Sequence, residues 1–191
     1  MKVTGKQQKE YFDIFEVQFS LGFITLQGGT FLVGFTNSNW ASNPDDQKST
    51  TGYVFSIGFG PVTWACKEKQ SLSVSSAEAE YQAAFNASQE ALWLRQILSE
   101  FGFEQQQPTP LWCDNQSAIK LAKDPILHQR SKHIEIHMHF IINIVHDHVI
   151  EVLYFPTYDQ VVEIFTKSLT KAKFSKLPSM LGVQECVIKG G

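Results

Sequence analysis

The chain has 191 residues, 43% of them hydrophobic, and a formal net charge of −3; that suits one compact domain with a real core and leaves no room for a second full one. The charge gives no global pull on a polyanion, so phosphate binding would need a local basic face or bound metal ions. Three widely spaced cysteines, Cys66, Cys113 and Cys186, make neither a disulfide framework nor a zinc knuckle, and with no apolar signal core and no run of ~20 apolar residues a cytosolic or nuclear protein is expected, not a secreted or membrane one.

Phe15, Val17, Phe19, Leu21 and Phe23 alternate with polar or small residues, a period of two that predicts a half-buried strand, and Gln27-Gly28-Gly29 supplies a turn. Phe31, Val33 and Phe35 repeat the pattern in the next strand, and Asn37 continues the same face at its exit. A polar loop over Ser38 to Ser49 follows. Gly52 to Ile57 and Val62 to Cys66 then form two strands around Gly58-Phe59-Gly60-Pro61, completing an antiparallel meander.

Ser75 to Leu98 is the strongest helical signal. Ser75 and Glu78 form a capping box. At about 100° per residue, Glu80 heads the stripe Ala84, Ala87, Ala91, Leu94 and Leu98, while Glu78 lies on the side of Gln82, Gln89 and Gln96. A carboxylate on a face of small apolar residues costs several kcal/mol unless a cation or proton meets it. Glu80 is therefore the first functional clue.

Phe101 to Pro110 reads as a connection and Leu111-Trp112-Cys113 as an interior strand, with Asp114 at its C-terminal end. Asn115 can cap a helix that Asp124-Pro125 ends. Ser131 to His146 predicts a helix, Val149 to Phe155 a strand, and Asp159 to Ser168 a helix. Thr170 to Gly191 holds lysines, a short helix ending near Gly182, and a loose end.

Helices between the later strands imply parallel pairing there. The expected fold is α/β, a mixed sheet of about five strands with its site at the C-terminal ends of the central ones. Asn37, Glu80, Asp114 and Glu163 arrive at that end. Taken singly they are a turn former, a first-turn glutamate, a helix cap and a solvated helix position. Together they are the oxygen ligands that hard divalent cations prefer.

Several separated blocks carry a resemblance: Gly34-Phe35-Thr36-Asn37-Ser38-Asn39-Trp40-Ala41, Lys48 to Phe55, Ser75-Ser76-Ala77-Glu78-Ala79-Glu80-Tyr81, Glu90 to Arg95, Cys113-Asp114-Asn115-Gln116-Ser117-Ala118, Arg130 to Ile136, and Asp159-Gln160 with Thr166-Lys167. From Leu21 to Val183 the chain resembles the ribonuclease H domain of Copia-type retrotransposon polyproteins. The resemblance implies a ribonuclease H-like fold over residues 30–170, an N-terminal remnant or extra strand over 1–29, and a C-terminal tail over 171–191. It implies hydrolysis of RNA in RNA–DNA hybrids with two magnesium or manganese ions, and a reverse transcriptase partner domain that Met1 to Ser20 does not match closely. Glu80 and Asp114 match family metal ligands. Asn37 stands where the family has aspartate, and Glu163 where aspartate is expected, which keeps the charge on a longer arm. The implied catalytic positions are Asn37, Glu80, Asp114 and Glu163, with Glu80, Asp114 and Glu163 as metal ligands. An amide supplies an oxygen but no charge, so impaired catalysis is expected. The alternative is a non-catalytic nucleic-acid-binding or protein-interaction module that keeps the fold.

His133 and His137 are spaced i,i+4, as a zinc pair could be, but the order His-Ile-Glu-Ile-His is not the metalloprotease one and no third ligand is obvious. Lys67, Lys69, Lys120, Lys123, Arg130 and Lys132 are scattered cations that can face phosphate or simply water.

Overall fold

The computed structural model describes residues 31–40, 48–58, 60–68, 75–116, 119–120, 132–156, 160–167 and 169–180, less the side chains of 77, 132–135 and 178–179. The strand expected over Phe15 to Phe23, the turn at Gln27 to Gly29 and most of the helix expected after Asn115 lie outside them. No helix among the described residues is long and apolar enough to cross a membrane.

Strands β1 (Leu32–Asn39), β2 (Thr50–Ile57) and β3 (Gly60–Glu68) form the antiparallel meander. Helix α1 (Ser76–Glu100) crosses over to β4 (Thr109–Cys113), and α2 (Lys132–His146) leads to β5 (Ile150–Tyr154). Both later strands pair in parallel, as crossover helices require, giving the order β3-β2-β1-β4-β5. Two short helices, α3 (Glu163–Thr166) and α4 (Lys171–Met180), finish the described chain.

The alanine stripe explains the closeness of α1 to the sheet. Ala84, Ala87, Ala91, Leu94 and Leu98 are all buried in one cluster with Leu32, Phe55, Leu111 and Ile141. Ser75 Oγ accepts from the Glu78 amide at 3.2 Å, so the predicted cap opens the helix. Gly102, at φ 83, closes it by letting the Phe103 amide return to Leu98 O at 2.7 Å. Arg95 then ties down the connection, donating to Gln105 O at 2.6 Å, Gln107 O at 2.8 Å and Thr109 Oγ1 at 2.9 Å.

The second face of the sheet is covered by α3 and α4. Val161, Val162, Ile164, Phe165, Leu169, Phe174 and Leu177 form a separate cluster with Val54, and Phe35 and Trp64 pack against it. Both faces of β1 are thus covered, which alters the reading of its alternation. The more deeply buried face is Leu32, Gly34 and Thr36; Val33 and Phe35 are half-buried, and Phe31 is 68% exposed. Gly34 is on the deeper face because the Phe55 ring lies across it, 2.4 Å from where a Cβ would stand.

β2 begins at Thr50 rather than Gly52 and β3 runs from Gly60 to Glu68 rather than from Val62 to Cys66, and three further boundaries differ from expectation. β1 runs on to Asn39 because Ser38 and Asn39 still pair with Thr51 and Thr50. β4 begins at Thr109, whose amide bonds Val149 O at 3.0 Å. The helix expected over Asp159 to Ser168 is a single turn. Gln160 is fully buried and donates to Thr36 O at 3.2 Å, a tertiary bond that holds it outside the helix, and Lys167 is already extended at the other end.

Candidate functional site

Parallel register brings the first pair of residues together. Phe35 stands opposite Trp112 and Thr36 opposite Cys113, so Asn37 and Asp114 come next at the C-terminal ends of their strands. Asn37 is fully buried, and its Nδ2 donates to Asp114 Oδ2 at 3.4 Å. Its Oδ1 has no hydrogen-bond partner among the described residues.

Glu80 joins them from α1, near the N-terminus, where the helix dipole favours negative charge. Its side chain is buried, and one oxygen, Oε2, has no hydrogen-bond partner among the described residues. Burial, and then the charge of Asp114, push its carboxyl up to about 8; the Ser38 amide and the Lys167 ammonium act in the opposite sense. Oxygens of Glu80 and Asp114 and the Cys113 sulfur all lie within 4.8 Å of one another. Burial pushes the Cys113 thiol up to about 12, with the Glu80 charge adding to it. Cys113 is therefore a neutral thiol wall and no ligand for a hard cation.

The fourth predicted position is held differently. Glu163 is only 4% exposed at its side chain; Oε1 accepts from Lys167 Nζ at 2.8 Å, and Oε2 pairs with Lys173 Nζ. Residues of β1, β2 and β3 fasten α3 beside Asn37. Asn39 Nδ2 donates to Thr166 O at 3.1 Å, and Cys66 Sγ to Phe165 O at 2.9 Å. Gly52, opposite Asn37 in β2, admits the helix: a Cβ there would stand 2.8 Å from Thr166 Cγ2 and 3.1 Å from Val162 Cγ1.

Asn37 and Glu80, both buried, thus each approach the half-buried Asp114 carboxylate, and Glu163 sits in an ion-paired triad from the neighbouring helix. The residues present fit a divalent ion: two carboxylates and an amide oxygen, with two buried oxygens unsatisfied. Sequence reasoning passed over Gln160, Lys167 and Lys173 as actors. Gln160 and Lys167 were visible only inside motif blocks, and Lys173 had no signal beyond being one of several lysines. Of the candidate zinc pair, the His133 side chain is outside the described set, and the His137 ring stacks on Phe85 with centroids 3.9 Å apart.

No protein-family model matches the chain. The Pol polyprotein of transposon RE1 from Arabidopsis thaliana is 36% identical over 163 residues, 85% of this chain and 11% of the polyprotein. That of transposon TNT 1-94 from Nicotiana tabacum is 35% identical over 152 residues, 80% of this chain and 11% of the polyprotein. The chain is homologous to a segment of Copia-type Pol polyproteins. It spans about a tenth of the length of those relatives.

The chain has the ribonuclease H fold. LC11-RNase H1, solved in complex with an RNA/DNA hybrid, superposes with a TM-score of 0.52 at 10% identity, covering 71% of this chain and 93% of that one. The N-terminal RNase H domain of rv2228c from Mycobacterium tuberculosis does so with a TM-score of 0.53 at 8% identity, covering 79% and 98%. At such low identity the likeness is one of fold.

Proposed function

We propose that this chain is the ribonuclease H domain of a Copia-type Pol polyprotein, that its inherited activity is metal-dependent hydrolysis of RNA in RNA–DNA hybrids, and that Asn37 leaves this copy slow or inactive. The pairing of Asn37 with Asp114 beside Glu80 carries the reading. Magnesium or manganese held there would supply charge that activates water and stabilises the leaving oxygen. Glu80 and Asp114 are the residues to hold it, with Glu163 as the third acidic residue. Asn37 offers one neutral oxygen and donates one amide hydrogen to Asp114. If that forfeits ~4 kcal/mol of transition-state stabilisation, the rate falls about a thousandfold.

In the whole polyprotein a reverse transcriptase would be the partner that makes the hybrid.

A labelled RNA–DNA hybrid incubated with the wild type, Asn37→Asp, and Asn37→Asp with Glu163→Asp, in magnesium and in manganese, tests the reading. Slow or absent cleavage by the wild type and a metal-dependent gain in the variants are expected. No gain, with the fold intact, would mean that the site has decayed further and that the domain serves as a binding module. The amide donation to Asp114 and the two lysines on Glu163 favour that second reading.

A further inference from the structure

Among the described residues, one group of three side chains brings metal-ligating atoms together. A carboxylate oxygen of Glu80, the sulfur of Cys113 and a carboxylate oxygen of Asp114 all lie within 4.8 Å of one another. Glu80 and Cys113 are buried, and Glu80 Oε2 has no hydrogen-bond partner among the described residues. A buried carboxylate oxygen left without a partner is destabilising, and a cation relieves it. For a hard ion the set is poor. Magnesium demands near-ideal octahedral oxygen coordination, yet Asn37 is neutral and hydrogen-bonded to Asp114, and both oxygens of Glu163 are held by lysines. Two carboxylates are left, beside a sulfur that magnesium does not use.

Zinc demands less. It takes three protein ligands drawn from sulfur, nitrogen and oxygen, plus a water, in tetrahedral geometry, and thiolate ligands select it over magnesium and manganese. Tetrahedral bonds of ordinary length set ligand atoms roughly 3.5 Å apart, so the three side chains need to close by about 1 Å. We propose that Cys113 is the third ligand of a Glu80–Cys113–Asp114 site that takes zinc or another thiophilic divalent cation in preference to magnesium. The thiol is protonated in the free protein, so ligation forms a metal–sulfur bond, breaks S–H and gives the proton to solvent. The thiolate then brings the third negative charge that Asn37 does not supply. The inference rests on the metal-binding reading above, to which it adds a ligand and a choice of ion.

The chain has three cysteines, so Cys66→Ser with Cys186→Ser leaves Cys113 as the only thiol. Serine at the exposed position 66 keeps a donor for Phe165 O. Cobalt(II), titrated into this double variant without nucleic acid, is the probe, because cobalt enters zinc sites and a cobalt–thiolate bond absorbs in the near ultraviolet. A charge-transfer band that saturates at one cobalt per chain, is bleached by zinc and is lost when Glu80→Gln is added is the expected result. Cobalt should bind at least roughly tenfold tighter than magnesium measured by calorimetry on the same protein. No band at saturating cobalt overturns the inference, and so does a band that survives Glu80→Gln. Magnesium binding by the same protein then leaves the metal-binding reading standing, whereas binding of neither ion by the folded protein removes both. Should Glu80→Gln fail to fold, Asp114→Asn at the half-buried ligand takes its place, with the same two outcomes.

Discussion

Asn37 Nδ2 lies 3.4 Å from Asp114 Oδ2 across the parallel β1–β4 pair, so the amide donates a hydrogen bond where a carboxylate would bring a second negative charge. Asn37→Asp removes the donor and sets like charges together in a buried site. Without metal the variant should lose about 1–3 kcal/mol, and magnesium should restore most of it. Thermal melts in chelator and in magnesium check this; equal melting temperatures for variant and wild type in chelator would contradict it.

Glu80 carries the pH dependence. Its carboxyl is raised from 4.5 to about 8 by burial and by Asp114, so between those values the folded chain holds a proton that the unfolded chain has released. The Glu80 contribution to stability is then fully present below about 4.5 and lost as pH rises towards 8, by at most ~1.4 kcal/mol per pH unit. Glu80→Gln should flatten this part of the profile and be the more stable protein above pH 8. Urea unfolding of both proteins from pH 5 to 9 reads the slopes; parallel curves would show that Glu80 ionises freely.

Gly52 is the floor on which α3 rests. Gly52→Ala drives a methyl against Thr166 Cγ2 and Val162 Cγ1 and should cost about 1–3 kcal/mol. Adding Thr166→Ser, which deletes the nearer methyl, should recover part of that loss. Additive effects in this double-mutant cycle would show that the two groups do not meet.

Ser75→Ala removes the acceptor for the Glu78 amide and should destabilise the protein by about 1 kcal/mol. Ser75→Asp should be near neutral. Denaturant midpoints distinguish these, and an alanine variant equal to wild type would mean that the cap is replaced by solvent.

The α1 stripe and its N-terminal cap were legible because a helix writes its own period and cap into neighbouring residues, whereas its closure at Gly102 was not read from the sequence. β2 and β3 were legible as a pair around a turn, though both run longer than expected. The face of β1 was misjudged: Phe31, Val33 and Phe35 look like the core side, yet Leu32, Gly34 and Thr36 are deeper, since two helical layers cover the strand and a glycine can be the most buried residue where a ring crosses it. The single turn of α3 was overextended because the bond from Gln160 to Thr36 O joins residues far apart in the chain.

The sequence by itself determined the order of elements and which polar residues interrupt apolar faces, and so pointed to Asn37, Glu80 and Asp114. Those signals are local, arising from spacing within one helix or strand. Only the tertiary structure decided that Asn37 faces Asp114, that the buried Cys113 sulfur lies beside Glu80 and Asp114, and that Glu163 is taken by Lys167 and Lys173. These depend on the β1–β4 register and on how α3 and α4 dock, and they follow from packing between segments distant in the chain, which no short-range period encodes.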